Sequence, residues 1–151
     1  MRAVVQRVSQ ARVMVGADEV GAIGPGLAVL LGIAQGDGSD DADAVAAKLQ
    51  GLRIFADEAG KMNRSVVEAG GAVLVVSQFT LLGDVRKGRR PSFTGAALPE
   101  VADPLVRRVV DRLEAAGVPC ATGSFGEHMK VELINDGPVT IIVESRQGRI
   151  V

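Results

Sequence analysis

Short apolar runs separated by glycine-rich turns fill the first third of the chain, and this pattern indicates a sheet. The chain holds 19 glycines in 151 residues, about twice the usual share of this residue. Residues 13–15 and 20–23 flank a Gly-Ala-Asp-Glu turn and predict a hairpin. Residues 27–33 form an unbroken apolar run, typical of a buried strand, and residues 3–8 predict a further strand. The first third is therefore predicted to be a β-meander.

Two segments farther along the chain predict helices. The first covers residues 40–52, where Ser39 or Asp40 can cap the helix and the early aspartates suit the positive end of its dipole. The second begins with Asp103 as N-cap and Pro104 in the first turn, and it carries an apolar stripe at helical spacing. A glycine at position 117 marks its end.

The rest of the chain predicts four more strands. They cover residues 72–76, 119–122, 129–134 and 139–143. The sequence contains no linker, internal repeat or low-complexity tract. Residues 1–151 are therefore predicted to form a single α+β domain with a mostly antiparallel sheet and two helices.

The supply of reactive side chains is small. The chain has one histidine (His128), one cysteine (Cys120) and no tyrosine or tryptophan. A single cysteine excludes an intramolecular disulfide and a cysteine-rich zinc site. The Asp-rich segment 37–48 lacks the glycine and glutamate that a calcium loop needs at its sixth and twelfth positions. No metal or other cofactor is predicted, His128 is expected to be exposed without a role, and Cys120 to be a small core residue.

Charge is nearly balanced over the whole chain but unevenly distributed along it. The formal net charge is −1 at pH 7, so no general attraction to nucleic acid is expected. Acidic residues predominate in segment 37–58 and basic residues in segment 84–112, which allows a polyanionic partner on one face only. No targeting segment is visible and the apolar runs are too short to cross a bilayer. A cytoplasmic protein without membrane contact is therefore expected.

Polar side chains follow the predicted central strand, in the Ser-Gln-Phe-Thr-Leu sequence of residues 77–81. Polar atoms at the end of a buried strand are typical of a ligand site. Because side chains alternate along a strand, Ser77 and Thr80 can line one pocket only if the backbone turns near Gln78 or Phe79. The alternative is a strand end whose hydroxyl groups satisfy loop amides. A hydroxyl nucleophile would need a base, and the spacing selects none.

Two other segments and one arginine allow both a structural and a functional interpretation. Residues 135–138 are turn-forming and a hairpin loop would explain them, although a cis X-Pro bond is typical of a specified turn. Arg7 lies among apolar neighbours and is either exposed or buried and paired. A basic segment before Pro91 can clamp phosphates or form a solvated loop. Its four basic residues are Arg86, Lys87, Arg89 and Arg90.

Together these segments resemble the D-aminoacyl-tRNA deacylase family. Residues 77–81 and the Asn-Asp-Gly-Pro-Val-Thr sequence of residues 135–140 resemble its two signatures. Further similarity runs through residues 3–8, 60–63 and 90–93. Each segment alone is a weak signal, whereas the set in this order and spacing is specific. The resemblance extends over nearly the whole chain, and the tail after Val143 has no assignment.

The resemblance implies a barrel-like α+β fold and a homodimer whose active site lies at the interface. It implies hydrolysis of the ester between a D-amino acid and the 3′ end of tRNA, and of glycine mischarged on non-cognate tRNA. Gly137 and Pro138 would reach across from the partner subunit with a cis peptide bond and reject L-amino acids, and Arg7 would support them. The implied residues for binding the terminal adenosine and the aminoacyl group are Ser77, Gln78, Phe79, Thr80 and Met129.

The mechanism that the resemblance implies has no protein nucleophile and no cofactor. The 2′-hydroxyl of the terminal ribose would help to activate water. Backbone amides near Phe79 and Thr80 would stabilise the oxyanion, which makes these two residues the expected catalytic positions. The basic segment is expected to contact the acceptor stem of tRNA. Two other hypotheses stay open: an RNA-binding homodimer without activity, and an esterase that uses a threonine nucleophile.

Overall fold

The protein is an α+β domain of nine strands, two α-helices and one 3₁₀ helix, as the class prediction states. The computed structural model describes residues 1–151. The strands are β1 (Arg2–Val15), β2 (Asp18–Ile23), β3 (Gly26–Gly32), β4 (Phe55–Ala56), β5 (Met62–Arg64), β6 (Ala72–Ser77), β7 (Cys120–Thr122), β8 (Lys130–Arg146) and β9 (Arg149–Ile150). The helices are α1 (Ser39–Gly51) and α2 (Pro99–Ala115), and the 3₁₀ helix covers Phe79–Leu82. No helix has the length and hydrophobicity needed to cross a membrane.

Seven strands form one mixed sheet in the order β7-β6-β3-β1-β8-β9, with β2 beside β1. Strand β1 is antiparallel to β2, β3 and β8, whereas the β3–β6 and β6–β7 pairs are parallel. The prediction of a mostly antiparallel sheet is corrected accordingly. Parallel neighbours need long crossover connections, and α1 and α2 provide them. The sheet curls into a half-barrel in which Gly21 of β2 lies against Thr122 of β7.

The two faces of the sheet carry cores of unequal size because side chains alternate along each strand. Leu27 of β3 and Val73 of β6 face the helices and belong to a cluster of 21 buried residues, called here the helix-side core. Their neighbours Ala28 and Leu74 point to the other face. That face holds the open-face cluster, which consists of six buried residues: Val8, Ala11, Val13, Ala28, Leu74 and Val76.

Both helices begin elsewhere than the sequence predicts. The N-cap of α1 is Gly38 rather than Ser39 or Asp40, because the Asp41 carboxylate already accepts the Gly38 amide at 3.1 Å. Helix α2 begins at Pro99, so Pro104 lies inside it and Asp103 is not its cap. Proline is well tolerated at the first helical position, and Pro99 takes that place.

Ion pairs join the two helices on the helix-covered side. Arg108 and Arg112 of α2 each donate two hydrogen bonds to the Asp43 carboxylate of α1, at 2.7–2.9 Å. These bonds, from Arg112 first and then Arg108, hold the pKa of Asp43 well below its usual range. Bidentate Arg–carboxylate pairs fix geometry as well as charge, so α1 and α2 are held in one relative position.

Strand β8 runs through residues 135–138, where a hairpin loop was predicted, and it joins two predicted strands into one. Gln10 of β1 pairs with Ile134 and Gln6 pairs with Thr140, so β8 has two more residues than β1 between these pairs. The excess forms a bulge in the ladder. The turn prediction is wrong because β1 offers β8 a partner on both sides of this segment, and the turn-forming residues are accommodated as a bulge.

The end of β8 and the β9 hairpin pack against α1. Ser145 Oγ donates to the buried Asp41 carboxylate at 2.6 Å, and the Gly148 amide donates at 3.0 Å. Burial raises the pKa of Asp41, but hydrogen bonds from Ser145, Gly148 and Gly38 outweigh this effect and lower it overall. The C-terminal segment, which had no assignment from sequence, is therefore part of the folded domain.

Candidate active site

A cavity of about 560 Å³ opens at the end of β6, between the 3₁₀ helix and the segment that leads into α2. Its lining is mainly apolar and includes Leu31 of β3 and Val106 of α2. Polar side chains come from Ser77 and Gln78, at the point where β6 ends, and from Glu127 and His128 in the loop before β8. An apolar cavity with a few convergent polar groups is the usual form of a small-ligand site.

The backbone turns near Gln78, which is the turn that a pocket shared by Ser77 and Thr80 would need. Ser77 still pairs with Leu31 of β3, and the Gln78 amide donates to the Leu31 carbonyl at 2.8 Å. The 3₁₀ helix then begins at Phe79. This change of direction brings Ser77, Gln78 and Phe79 into the lining together. The leading amides of a helix have no acceptor within that helix, which leaves donors at the mouth of the cavity.

Thr80 is the predicted residue of this segment that does not line the cavity. It is exposed on the 3₁₀ helix, and its Oγ accepts a hydrogen bond from the Gln78 side-chain amide. No hydrogen bond joins the Thr80 hydroxyl to a carboxylate or an imidazole that could take its proton. A threonine nucleophile therefore lacks the base that it needs in this arrangement.

Phe93 is a residue of the site that sequence analysis did not single out. Its ring meets that of Phe79 edge to face, with 5.2 Å between centroids and 78° between planes, and both residues line the cavity. Two backbone hydrogen bonds between Asp84 and Ser92, at 2.7 and 3.0 Å, close the loop just before Phe93. The position of Phe93 directly after the Arg-Pro-Ser sequence was the one sequence feature that could have indicated its role. An aromatic residue after a basic loop does not by itself indicate a pocket.

Met129 and His128 form another part of the wall. Met129 is half-buried, and its Sδ accepts the Ser124 amide at 3.3 Å. His128 is exposed, as predicted, but it stands at the cavity rather than apart from it. The sequence could not reveal this position because the 3₁₀ helix and the loop before β8 are far apart along the chain.

Gly137 and Pro138 lie in the β8 bulge and not in the lining of this cavity. Both are exposed, and their peptide bond is cis. Arg7 holds the bulge: its Nε donates to the Asp136 carbonyl at 2.9 Å, and a terminal nitrogen donates to the Ile54 carbonyl at 2.5 Å. The Arg7 side chain is 15% exposed. Of the two interpretations of Arg7, the structure supports the buried and paired one.

The basic segment forms an exposed loop outside the cavity. Arg86 is engaged by Asp84 through its Nε at 2.9 Å and a terminal nitrogen at 2.6 Å. These hydrogen bonds lower the pKa of Asp84 to about 2. Lys87, Arg89 and Arg90 have no ion-pair partner in the structure, so three positive charges face solvent close to the Phe93 wall.

The single cysteine lies outside the cavity, and the structure contains no cluster of metal-ligating side chains. Cys120 packs beside the helix-side core, and burial raises the pKa of its thiol to about 12. Such a thiol stays protonated near neutral pH and is a poor nucleophile, in agreement with its prediction as a core residue. The structure brings no three His, Cys, Asp or Glu side chains together in a group that could hold a metal ion.

The fold and the site define a class: a small α+β domain with a ligand cavity at the end of a central strand of a curled mixed sheet. A family model described as D-Tyr-tRNA(Tyr) deacylase matches residues 4–144. The chain is 63% identical over 147 residues to the D-aminoacyl-tRNA deacylase of Symbiobacterium thermophilum, covering 97% of both chains. It is 64% identical over 148 residues to that of Heliobacterium modesticaldum, covering 98% of this chain and 99% of the relative. The chain therefore belongs to the D-Tyr-tRNA(Tyr) deacylase family, as its two signatures imply.

Solved structures agree with the observed architecture. A structure named c-Myc DNA unwinding element binding protein has a TM-score of 0.91 and 42% identity, covering 97% of this chain and 99% of that one. A probable eukaryotic D-amino acid tRNA deacylase has a TM-score of 0.77 at 20% identity, covering 93% and 97%. The second similarity concerns the fold alone.

Proposed function

We propose that this protein hydrolyses the ester bond of D-aminoacyl-tRNA and releases free tRNA and the D-amino acid. The observation that carries the proposal is the cavity at the end of β6, in which Ser77, Gln78 and Phe79 supply polar groups and an aromatic wall. Relatives that are more than 60% identical over nearly the full chain carry the name of this activity. We also expect the reaction to take place in the cytoplasm.

The chemistry that suits this site is positioning and electrostatic stabilisation rather than covalent catalysis. The leading amides of the 3₁₀ helix, at Phe79 and Thr80, can donate to an oxyanion as negative charge develops on the ester carbonyl oxygen. The 2′-hydroxyl of the terminal ribose then helps to activate the attacking water. Thr80 Oγ is engaged with the Gln78 amide, which argues against a role as the nucleophile.

Selection against L-amino acids is assigned to the β8 bulge of a partner subunit. Gly137 and Pro138 are exposed in one chain, while Arg7 anchors the preceding carbonyl. A backbone segment cannot change rotamer, so it can exclude a side chain by steric clash while D-residues and glycine are admitted. Glycine on non-cognate tRNA would therefore also be hydrolysed.

A homodimer would bring this bulge to the cavity of the second subunit. Ile134 and Ile142 of β8 are 54% and 65% exposed, and they lie on the strand that carries the bulge. Isologous dimers use the same patch on both subunits. Covering these side chains would remove apolar surface from water at the place where the bulge must reach its partner's site.

The basic loop is proposed to contact the acceptor stem of tRNA. Lys87, Arg89 and Arg90 are free of ion pairs, and the loop ends at the Phe93 wall of the cavity. Each phosphate contact that releases a counterion makes affinity depend on salt. Neutralising these three residues together is expected to weaken tRNA binding and flatten its salt dependence. If the dependence of tRNA affinity on salt concentration did not change, the acceptor stem would have to contact another part of the protein.

The activity is tested with tRNA charged with a D-amino acid or with its L-enantiomer, in the presence of a chelator. We expect rapid release of the D-amino acid and little release of the L-amino acid. Retained activity of Thr80→Ala would eliminate the threonine nucleophile. Undiminished hydrolysis of a tRNA that ends in 2′-deoxyadenosine would refute the assistance by the ribose.

Nucleic-acid binding without turnover is the second candidate function, because the 42% identical solved structure is named a DNA unwinding element binding protein. Binding of D-aminoacyl-tRNA or of DNA with no hydrolysis would support it against the proposal.

The dimer is tested by mixing two defective subunits. Phe79→Ala damages a chain's own cavity, and Gly137→Val adds a branched side chain to the bulge, where it would obstruct the partner's cavity. Each homodimer should be weakly active, whereas random mixing should restore about one quarter of the activity, because half of the dimers would gain one intact site. No recovery, or a monomer by light scattering, would contradict the cross-subunit arrangement.

A further inference from the structure

Gly123 lies next to Met129 but outside the lining of the main cavity. Met129 lines the main cavity, whereas Gly123 does not line it and instead borders a smaller cavity of about 370 Å³ between β7 and α2. A Cβ atom at position 123 would stand 2.6 Å from Met129 Sδ and 3.6 Å from Val76 Cγ1. The thioether therefore occupies space that only a glycine leaves free.

The same sulfur is held by a hydrogen bond from the next residue. The Ser124 amide donates to Met129 Sδ at 3.3 Å. A methionine side chain has three rotatable bonds and adapts to its surroundings. A defined position for its sulfur thus needs a specific seat, and the bare backbone of Gly123 together with the Ser124 amide provides one.

We propose that Gly123 is a positioning residue that sets the depth of the candidate active site by seating the thioether of Met129. This inference rests on the proposed function, because it concerns the cavity that would receive the terminal adenosine and the aminoacyl group. A methyl group at position 123 would displace the sulfur, and the free space open to it is the cavity that Met129 lines. The cavity would become shallower without any change in its polar groups.

The backbone at Gly123 makes a clean experiment feasible. The φ angle of Gly123 lies outside the left-handed region, so alanine adds a methyl group there without backbone strain. Gly24 offers a matched control, since its φ is also ordinary and its Cβ would meet nothing within 4 Å. Gly123→Ala is expected to raise KM for D-aminoacyl-tRNA about tenfold with kcat changed less than about twofold, because ground-state fit is lost. Gly24→Ala should change neither constant.

A double-mutant cycle separates positioning from a general structural effect. In a Met129→Ala background no sulfur is left to displace, so Gly123→Ala should have little further effect on KM. An equal effect of Gly123→Ala with and without the Met129 side chain would overturn the proposal. An unchanged KM in the single Gly123→Ala variant would overturn it as well.

A spectroscopic readout keeps this test independent of the activity. The chain has four methionines, so methyl-labelled protein gives a small set of signals, and Met129→Ala identifies the one from Met129. Gly123→Ala should shift that signal and Gly24→Ala should leave it in place. If the wild-type protein showed no turnover and Gly123→Ala still shifted the Met129 signal, the proposed function would be contradicted but the seating of Met129 would not. An unshifted signal would contradict the seating itself.

Discussion

The two faces of the curled sheet differ in how fully the chain itself covers them. On the helix-covered face, 21 buried residues form a continuous core, and Asp43 and Asp41 lock the helices and the tail to one another. On the open face only six residues are buried, and partly buried side chains such as Leu30, Met129 and Leu133 pack against them. The first face is complete, whereas the second still offers apolar and polar groups to a ligand or a partner.

This difference separates the source of stability from the source of function. Burial of apolar surface is the main favourable contribution to folding, and most of it lies under α1 and α2. Groups outside that core, such as Phe79, which is 58% exposed, can therefore be exposed without threatening the fold. Substitutions on the two faces should accordingly have different signatures.

The largest expected effect is on the stability of the helix-covered face. Leu113 of α2 is fully buried in the helix-side core, and Leu113→Ala should lower the free energy of unfolding by about 3 kcal/mol. Leu133, which is only partly buried against the open-face cluster, should cost about half as much on truncation to alanine. Urea unfolding at one fixed protein concentration measures both. Equal losses of unfolding free energy in the two variants would show that the two faces are packed equally well.

A smaller loss of stability, with a distinct pH dependence, is expected at Asp41. Truncation to alanine leaves the donors of Ser145 and Gly148 without their acceptor, and this should cost about 2 kcal/mol at pH 7. Because the folded-state pKa of Asp41 is lowered, its contribution is present above the unfolded-state pKa of about 3.9 and is lost as the pH falls through the folded value.

Unfolding of wild type and Asp41→Ala from pH 7 down to pH 3 follows this loss. The gap between the two stabilities should begin to narrow below about pH 4 and narrow further as the pH falls through the folded-state pKa. The exposed neighbour Asp40, changed to alanine, is the control and should show no such convergence. A gap between wild type and Asp41→Ala that stays constant with pH would contradict the assignment.

At the β8 bulge, Arg7→Lys should affect activity more than stability. Lysine keeps the charge but lacks the planar group that donates to two carbonyls at once, so the bulge loses part of its support. We expect kcat/KM to fall about tenfold, which corresponds to about 1.4 kcal/mol. Arg12→Lys, on the same strand and paired with Glu132, should leave kcat/KM unchanged. A similar fall in both variants would point to a general effect on β1.

The smallest effect is expected for the aromatic pair. The edge-to-face contact between Phe79 and Phe93 is worth about 1 kcal/mol beyond burial, so Phe93→Leu should raise KM about threefold. Phe55→Leu changes the same residue type against the helix-side core, and it should lower stability with KM unaltered. If Phe93→Leu lowered the free energy of unfolding and left KM unchanged, the aromatic pair would stabilise the fold and would not contribute to substrate binding.

Local patterns predicted much of the site and of the strand content. The apolar run before Ser77 and the polar residues after it predicted the strand β6 and a ligand site at its end. A turn near Gln78 was the condition for Ser77 and Thr80 to share that site, and the structure has the turn but leaves Thr80 outside the cavity. Patterns of this kind succeed because they depend on neighbours in sequence. The start of α2 was missed because Pro99 and Pro104 are equally good first-turn residues, and packing on the sheet selected the longer helix.

By itself, the sequence determined the α+β class, the two helices, the buried strands and the polar end of β6, because periodicity and turn chemistry are local properties. Only the tertiary structure decided which distant segments share a wall of the cavity. It placed Phe93 against Phe79, seated Met129 over Gly123, and turned residues 135–138 from a predicted loop into a bulge held by Arg7. Each of these contacts joins residues from different elements, and their energies depend on packing that no local pattern encodes.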